Sequence, residues 1–355
     1  MLFADVLEIK NGRNQRAVEN PNGAYPIYGS GGVMGYADDF ICQAQTVVVG
    51  RKGNISKPLF VDVPFWNVDT AFGLEAKRSV LLPKYLYYFC LRYDFEKLNK
   101  AVTIPSLTKV DLLKIEIELP KLSIQEDIVS RLESIERVIS LRQNQLRTLD
   151  TLIKARFVEM FGDPEINPKG YPIRSMADIA SYWNGLTYKP EDVSEEGTIV
   201  LRSSNIQNMQ LDFADTVRVS CKIGEKKYVQ DNDILMCSRN GSAKLVGKVA
   251  LIKGIEEPMS FGAFMMIIRS EYYPYLMTYF QMPAFRAQIV TGATTTINQI
   301  TGSMMDKVSV PVPDIKTMNE FAAFVSQVDK SKVVVQKALD EAQMLFDSLM
   351  QKYFG

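Results

Sequence analysis

The feature that most constrains this chain is a repeat. Displacing the sequence by 193 residues lays Thr103–Gly162 on Thr296–Gly355 without a gap. Thr103 falls on Thr296, Lys114 on Lys307, Pro120 on Pro313, Leu152 on Leu345, and Phe161-Gly162 on Phe354-Gly355. Most pairs that differ are chemically alike, as in "IEIELPKL" against "VSVPVPDI". Duplication of one structural unit leaves such a trace. Upstream the match loosens: "FADVLEIKNG" (Phe3–Gly12) resembles "MADIASYWNG" (Met176–Gly185) at an offset of 173. "VVVGRKGN" (Val47–Asn54) resembles "LMCSRNGS" (Leu235–Ser242) at 188, pairing Arg51 with Arg239 and Gly53 with Gly241. The rising offset places insertions in the first part of the second copy.

The tails are helical. Apolar residues fall on heptads, with seam positions Leu132, Ile135, Ile139, Leu146, Leu149 and Ile153 in the first tail. The second tail supplies Val325, Val328, Val335, Leu339, Phe346 and Leu349. The pattern lapses at Arg142 and Arg156 in the first tail and at Lys332 in the second. Each tail follows a proline, with Ser123 and Thr317 expected near the helix caps. A helix of about 38 residues is roughly 57 Å long and needs a partner for its seam. The matching tail is that partner, in an antiparallel pair if the two copies are related by a pseudo-two-fold axis.

The variable parts read as mixed domains rich in strands. Strands are expected at Thr46–Val49, Leu59–Val63, Ile115–Leu119, Ile199–Leu201, Val246–Ile252 and Phe264–Arg269, and helical patches at Pro83–Leu91 and Tyr272–Gln281. The stretch "YPIYGSGGVMGYADDF" (Tyr25–Phe40) reads as a tight glycine-permitted hairpin, with a phosphate-cradling loop as the alternative. The fold class is therefore α+β: two strand-rich domains in pseudo-two-fold repeat, separated by a long antiparallel two-helix coiled coil.

Absences narrow the chemistry. The chain has no histidine, which excludes Ser-His-Asp and Cys-His nucleophiles and mixed Cys/His metal sites. Cys42, Cys90, Cys221 and Cys237 form no CxxC pair and read as isolated thiols. No adenine-methyltransferase signature, S-adenosylmethionine glycine motif or Walker motif occurs. Asp62, Glu75 and Lys77 have a spacing that a metal-dependent nuclease would tolerate, but without the leading proline and without a counterpart in the second copy. No apolar run reaches membrane-span length and the first residues are not those of a signal peptide, so a cytoplasmic location is expected.

Net charge is zero, so any attraction for nucleic acid is local. Basic and amide side chains gather in "GRKGNISK" (Gly50–Lys57), "LRSSNIQN" (Leu201–Asn208) and "CSRNGSAK" (Cys237–Lys244). These are the residue types that contact phosphates and base edges. The loops before each tail, "NKAVTIPSL" (Asn99–Leu107) and "TGATTTINQ" (Thr291–Gln299), match one another. Candidate DNA-binding residues are Tyr28, Ser30, Tyr36, Arg51, Lys52, Asn54, Lys57, Thr103 and Ser106 in the first copy. In the second they are Arg202, Ser203, Asn205, Arg239, Asn240, Ser242, Lys244, Thr295, Thr296 and Asn298.

With these residues in view, the chain resembles the DNA-specificity subunits of Type I restriction–modification systems. The resemblance spans the whole chain and is carried by "YPIYGSGGVMGYADDF", "VVVGRKGN", "FWNVDTAFGL", "IELPKLSIQEDIVSRLE" and "MFGDP". It implies a first target-recognition domain at 1–120, a central helical region at 121–164, a second recognition domain at 165–313 and a C-terminal helical region at 314–355. The second copy departs from the pattern: Met318 stands where the first has Gln125, and nothing there reproduces "YGSGGVMGY". The resemblance further implies a non-catalytic subunit that reads a bipartite double-stranded DNA target, with the helices setting the spacer. Its implied partners are two adenine methyltransferase subunits and restriction/translocase subunits, which would carry S-adenosylmethionine, ATP and Mg²⁺. The readings weighed against it are a coiled-coil adaptor that binds protein, and the nuclease.

Overall fold

The computed structural model describes residues 1–99, 104–289 and 299–355. They divide into two compact units, 1–144 with 335–355, and 145–334. Two helices dominate the secondary structure, Leu122–Phe161 and Ile315–Phe354, each of 40 residues. No helix among the described residues is long and apolar enough to cross a membrane.

In the first unit, the valine-rich strand Thr46–Gly50 lies at the centre of an antiparallel sheet and is buried at every position. Leu59–Val61 flanks it on one side, Ala71–Ala76 on the other, and Leu7–Asn11 lies beyond. β-Branched side chains suit a strand covered on both faces. Helix Pro83–Arg92 packs its Tyr85, Leu86 and Tyr88 into the same core, together with Ile128 and Leu132 of the first long helix and Met350 of the second. A second, three-stranded sheet joins Gly32–Ala37, Tyr25–Gly29 and Trp66–Asn67, the last pair parallel. The glycine stretch is thus a hairpin, and strand passes to strand with no helix to receive a phosphate. The alternating run Ile115–Leu119 is not a regular strand; it is tied to the N-terminus by Phe3 N–H to the Ile115 carbonyl (2.9 Å) and Ile117 N–H to the Met1 carbonyl (2.8 Å).

In the second unit, Val249–Leu251, Ile234–Cys237, Met265–Arg269 and Ser181–Asn184 form an antiparallel sheet in that order. A second sheet places Thr198–Leu201 between Arg218–Val219 and the parallel strand Met259–Phe261. The expected strand Val246–Ile252 is shorter than its apolar run, because Gly247 breaks it at a φ of +82°. Phe157 and Phe161 of the first long helix meet Tyr275 and Phe321 with ring centroids 4.9–5.6 Å apart.

Three details of the helices differ from the sequence expectation or explain it. The first helix already begins at Leu122, so Ser123 lies inside its first turn. At the second helix Asp314, not Thr317, is the cap: its carboxylate accepts the Thr317 N–H at 2.9 Å and the Thr317 hydroxyl at 2.7 Å. Those bonds hold the Asp314 carboxyl below its usual pKa. The heptad lapse at Lys332 is an ion pair within the second unit, with Nζ 2.5 Å from Asp150, while Arg156 pairs with Glu159 at 2.8 Å. Among the seam positions, Leu132, Ile153, Val328 and Val335 are buried and the other eight are half-buried.

Gln125 and Met318 occupy matching places by different chemistry. Gln125 is fully buried; its amide accepts from Leu82 N–H and donates to the carbonyls of Val80 and Pro120, each at 2.9 Å. Met318 packs into an apolar core instead. Both helices end at the phenylalanine of the "FG" echo, followed by a glycine with positive φ, +78° at Gly162 and +93° at Gly355. That left-handed step is the usual helix stop.

Candidate nucleic-acid interface

Each unit builds a corner from three segments distant in sequence. In the first unit the parallel pairing of Tyr25–Gly29 with Trp66–Asn67 ends as Val68 N–H reaches the Tyr28 carbonyl at 2.9 Å, and the chain leaves through Ser30. The turn after Thr46–Gly50 is held beside it. Arg51 and Lys52 N–H share the Thr70 carbonyl (2.7 and 3.3 Å), Gly53 N–H reaches Pro105, and Leu107 N–H reaches Arg51. A Cβ on Gly50 would stand 3.1 Å from the Cβ of Ser30, so strand end and turn are in contact. The corner brings together Ser30, Arg51, Lys52, Asn54 and Ser106. Arg51 lies over the Phe72 ring at 5.8 Å.

The second unit repeats this bond pattern. Gly262 N–H reaches the Leu201 carbonyl at 2.9 Å and the chain leaves through Arg202 and Ser203. Ser238 and Arg239 N–H share the Phe264 carbonyl (2.9 and 3.1 Å), and Ile300 N–H reaches Ser238 at 2.7 Å. Asn240 Nδ2 donates to Ser203 Oγ at 3.2 Å, and Ser242 N–H donates to Asn240 Oδ1 at 2.9 Å. Arg239 lies 5.3 Å over the ring of Phe264, which is 58% exposed.

These bonds revise the register of the two copies. They match Ser30 with Ser203 at an offset of 173, and Lys52 with Arg239 at 187 rather than the 188 that paired Arg51 with Arg239. They also place "LRSSN" where the first copy has "YGSGG", a correspondence without letter-by-letter similarity. The clue available in sequence was a serine one or two residues past an apolar strand.

Not every candidate side chain belongs to a corner. Asn205 is completely buried; its oxygen accepts Arg202 N–H at 2.8 Å and its amide donates to the carbonyls of Asp212 and Asp215, both at 2.8 Å. It holds the loop together and cannot reach DNA, which corrects its place among the candidates. The Arg202 guanidinium is engaged by Asp215 at 2.7 Å. Tyr28 is half-buried with its ring edge-on to Phe65 at 5.3 Å, and Tyr36 is exposed opposite Pro26 on the hairpin's outer strand. Lys57 and Lys244 are exposed beyond their turns. Among the described residues, Arg51, Lys52, Lys57, Arg239 and Lys244 have no carboxylate within 4.0 Å. Thr103, Thr295, Thr296 and Asn298 lie outside the described residues.

The nuclease triplet is not assembled. Asp62 is exposed past the edge strand, Glu75 accepts Gln43 N–H at 2.8 Å, and Lys77 donates to the Asp5 carbonyl at 2.8 Å. No group of three or more acidic or thiol side chains poised for a metal occurs among the described residues. Cys42, Cys90 and Cys237 are buried free thiols, and burial pushes the Cys42 thiol up to about 12.

Residues 3–151 match the family model of the Type I restriction modification DNA specificity domain. The Type I restriction enzyme StySPI specificity subunit of Salmonella potsdam is 26% identical over 183 residues, covering 48% of this chain and 39% of that protein. The EcoKI specificity subunit of Escherichia coli K12 is 26% identical over 178 residues, covering 46% of this chain and 38% of that protein. The matches therefore span well under half the length of these relatives. In fold, the whole chain superposes on the S subunit of a Type I restriction–modification system from M. genitalium with a TM-score of 0.60 at 16% identity, covering 95% of that chain. A chain from a study of complex assembly in the Type I system gives a TM-score of 0.57 at 15% identity, with 96% covered.

Proposed function

We propose, from the match of residues 3–151 to the Type I restriction modification DNA specificity domain, that the whole chain is a DNA-specificity subunit reading a bipartite target. The observation that carries this reading is one corner built twice with different side chains. Ser30 and Asn54 stand in the first unit, and Ser203 and Asn240 in the second, beside the cations Lys52 and Arg239 in matching places. A shared frame with distinct donors suits two half-sites of different sequence.

In this reading, residues 1–120 and 165–313 are the recognition domains, related by a pseudo-two-fold axis, and 121–164 and 314–355 are the helical regions. The long helices pair antiparallel and set the distance between half-sites. The chain itself is non-catalytic. Two methyltransferase subunits dock on the helical regions and supply S-adenosylmethionine chemistry, restriction subunits bring ATP and Mg²⁺, and the assembly works in the cytoplasm.

Lys52 and Arg239 are exposed, have no carboxylate within 4.0 Å among the described residues, and are assigned to phosphates. Binding of the full chain to random-sequence duplex DNA should weaken with salt. The slope of log K against log salt should shrink by about 0.9 for Lys52→Ala and again for Arg239→Ala, one released counterion each. Titration by fluorescence anisotropy between low and physiological salt reads this directly. A slope unchanged in both variants contradicts the assignment.

A further inference from the structure

The hairpin of the first unit carries apolar surface that the fold does not use. Val33 is 54% exposed and Met34 62%. A β-bulge sets both residues against Tyr28 of the partner strand, so strict alternation lapses there; the Met34 Sδ lies over Gly29, and the rest of both side chains is exposed at the hairpin tip. A Cβ built on Gly31 or Gly32 meets nothing within 4 Å, which shows the same clearance at the turn. Gly32–Ala37 is moreover an edge strand, where soluble proteins usually place charge to block unwanted pairing. From Ser30 to Tyr36 the sequence "SGGVMGY" has none.

The surroundings identify what covers this tip. The hairpin leaves the corner at Ser30, in contact with the turn that carries Arg51 and Lys52. Of its acidic neighbours, Asp38 lies at the other end beside Ala37, while the Glu19 carboxylate lies over Gly35, beyond Met34 from the turn. An uncharged apolar tip next to cations that have no carboxylate partner among the described residues fits a partner with an anionic rim and an apolar feature inside. The major groove of B-DNA is such a partner: it is about 12 Å wide, admits a two-stranded ribbon, and displays the thymine C5-methyl as its apolar landmark. No ion on the tip would have to be desolvated on entry.

We infer that Val33 and Met34 are specificity-determining residues that pack against thymine methyl groups in the half-site read by the first unit. The inference rests on the DNA-recognition reading and assigns the hairpin a base-reading task, leaving phosphate contacts to Lys52. At the matching point of the second unit the chain passes through the buried Asn205 into a short hairpin, Ile206–Gln207 with Gln210–Leu211, turned by Asn208 and Met209 instead of glycines.

The test is selection of bound duplexes from a random-sequence pool by the full chain and by a Val33→Asn/Met34→Gln variant. Both positions are exposed, so the fold is retained, with circular dichroism and thermal melting as the check. The wild-type motif should contain a thymine whose preference is lost in the variant while the remaining positions stay. Substituting deoxyuridine for that thymine should weaken wild-type binding by about fourfold per methyl contact and leave the variant unchanged. An unchanged variant motif, or a uniform loss of affinity at every position, overturns the role of the hairpin alone. No motif from the wild-type chain overturns the DNA-recognition reading and the hairpin's role with it.

Discussion

Replacing Phe157 with alanine is expected to destabilise the second unit by about 3–5 kcal/mol, the range for truncating a fully buried phenylalanine. Phe157 has no exposed surface, and its ring touches Phe161, Tyr275 and Phe321 at centroid distances of 5.0, 4.9 and 5.6 Å. Those partners come from both long helices and from helix Tyr273–Tyr279, so the cavity left by truncation lies where three elements meet. None of them can close it without dragging its own buried rings. Two compact units also make a single global transition an unsafe measure. The two tryptophans solve this, since Trp66 belongs to the first unit and Trp183 to the second. In a Trp66→Phe background, urea unfolding followed by Trp183 fluorescence should show a large drop in midpoint for Phe157→Ala. A midpoint close to that of the parent protein would mean that these rings do not hold the unit together.

A loss of similar size, about 3–5 kcal/mol, is expected for Arg269→Leu, because it strips a buried carboxylate of its counter-charge. Asp233 is 1% exposed and receives Arg269 Nε and Nη2, each at 2.7 Å, as well as the Gln230 N–H at 2.7 Å. The Arg269 guanidinium also covers the Trp183 ring at 5.0 Å. Removing the arginine alone leaves Asp233 charged and without its bidentate partner. Replacing both residues by leucine removes the charge as well, so the double variant should recover much of the loss. Thermal melting of the single and double variants separates the outcomes. A double variant no more stable than Arg269→Leu would show that packing over Trp183, rather than charge pairing, makes the contribution.

The long helices were legible because their signal accumulates over many turns: the heptads and the "FG" stop fix both ends. The caps were less so, since Asp314 and Thr317 are both good capping types and only geometry gives the carboxylate the bond. The corner was half legible. Its basic and amide residues stood out, but the match of "LRSSN" to "YGSGG" depends on parallel pairing between strands far apart in sequence, which leaves no periodic trace. Loop chemistry also misled. Asn205 has the side chain of a base reader, yet three hydrogen bonds to its own loop consume it. Val33 and Met34 carry no signal of their own in the sequence, because an apolar strand residue looks like core until its exposure is seen.

The central claim is that two differently furnished corners read two separate pieces of DNA. The most direct measurement is the consensus of duplexes selected from a random pool by the full-length chain. Two short conserved blocks separated by a fixed run of indifferent bases are predicted, with Lys52→Ala weakening binding across all sequences and leaving both blocks intact. A single contiguous block, or no enrichment at any salt concentration, would contradict the account.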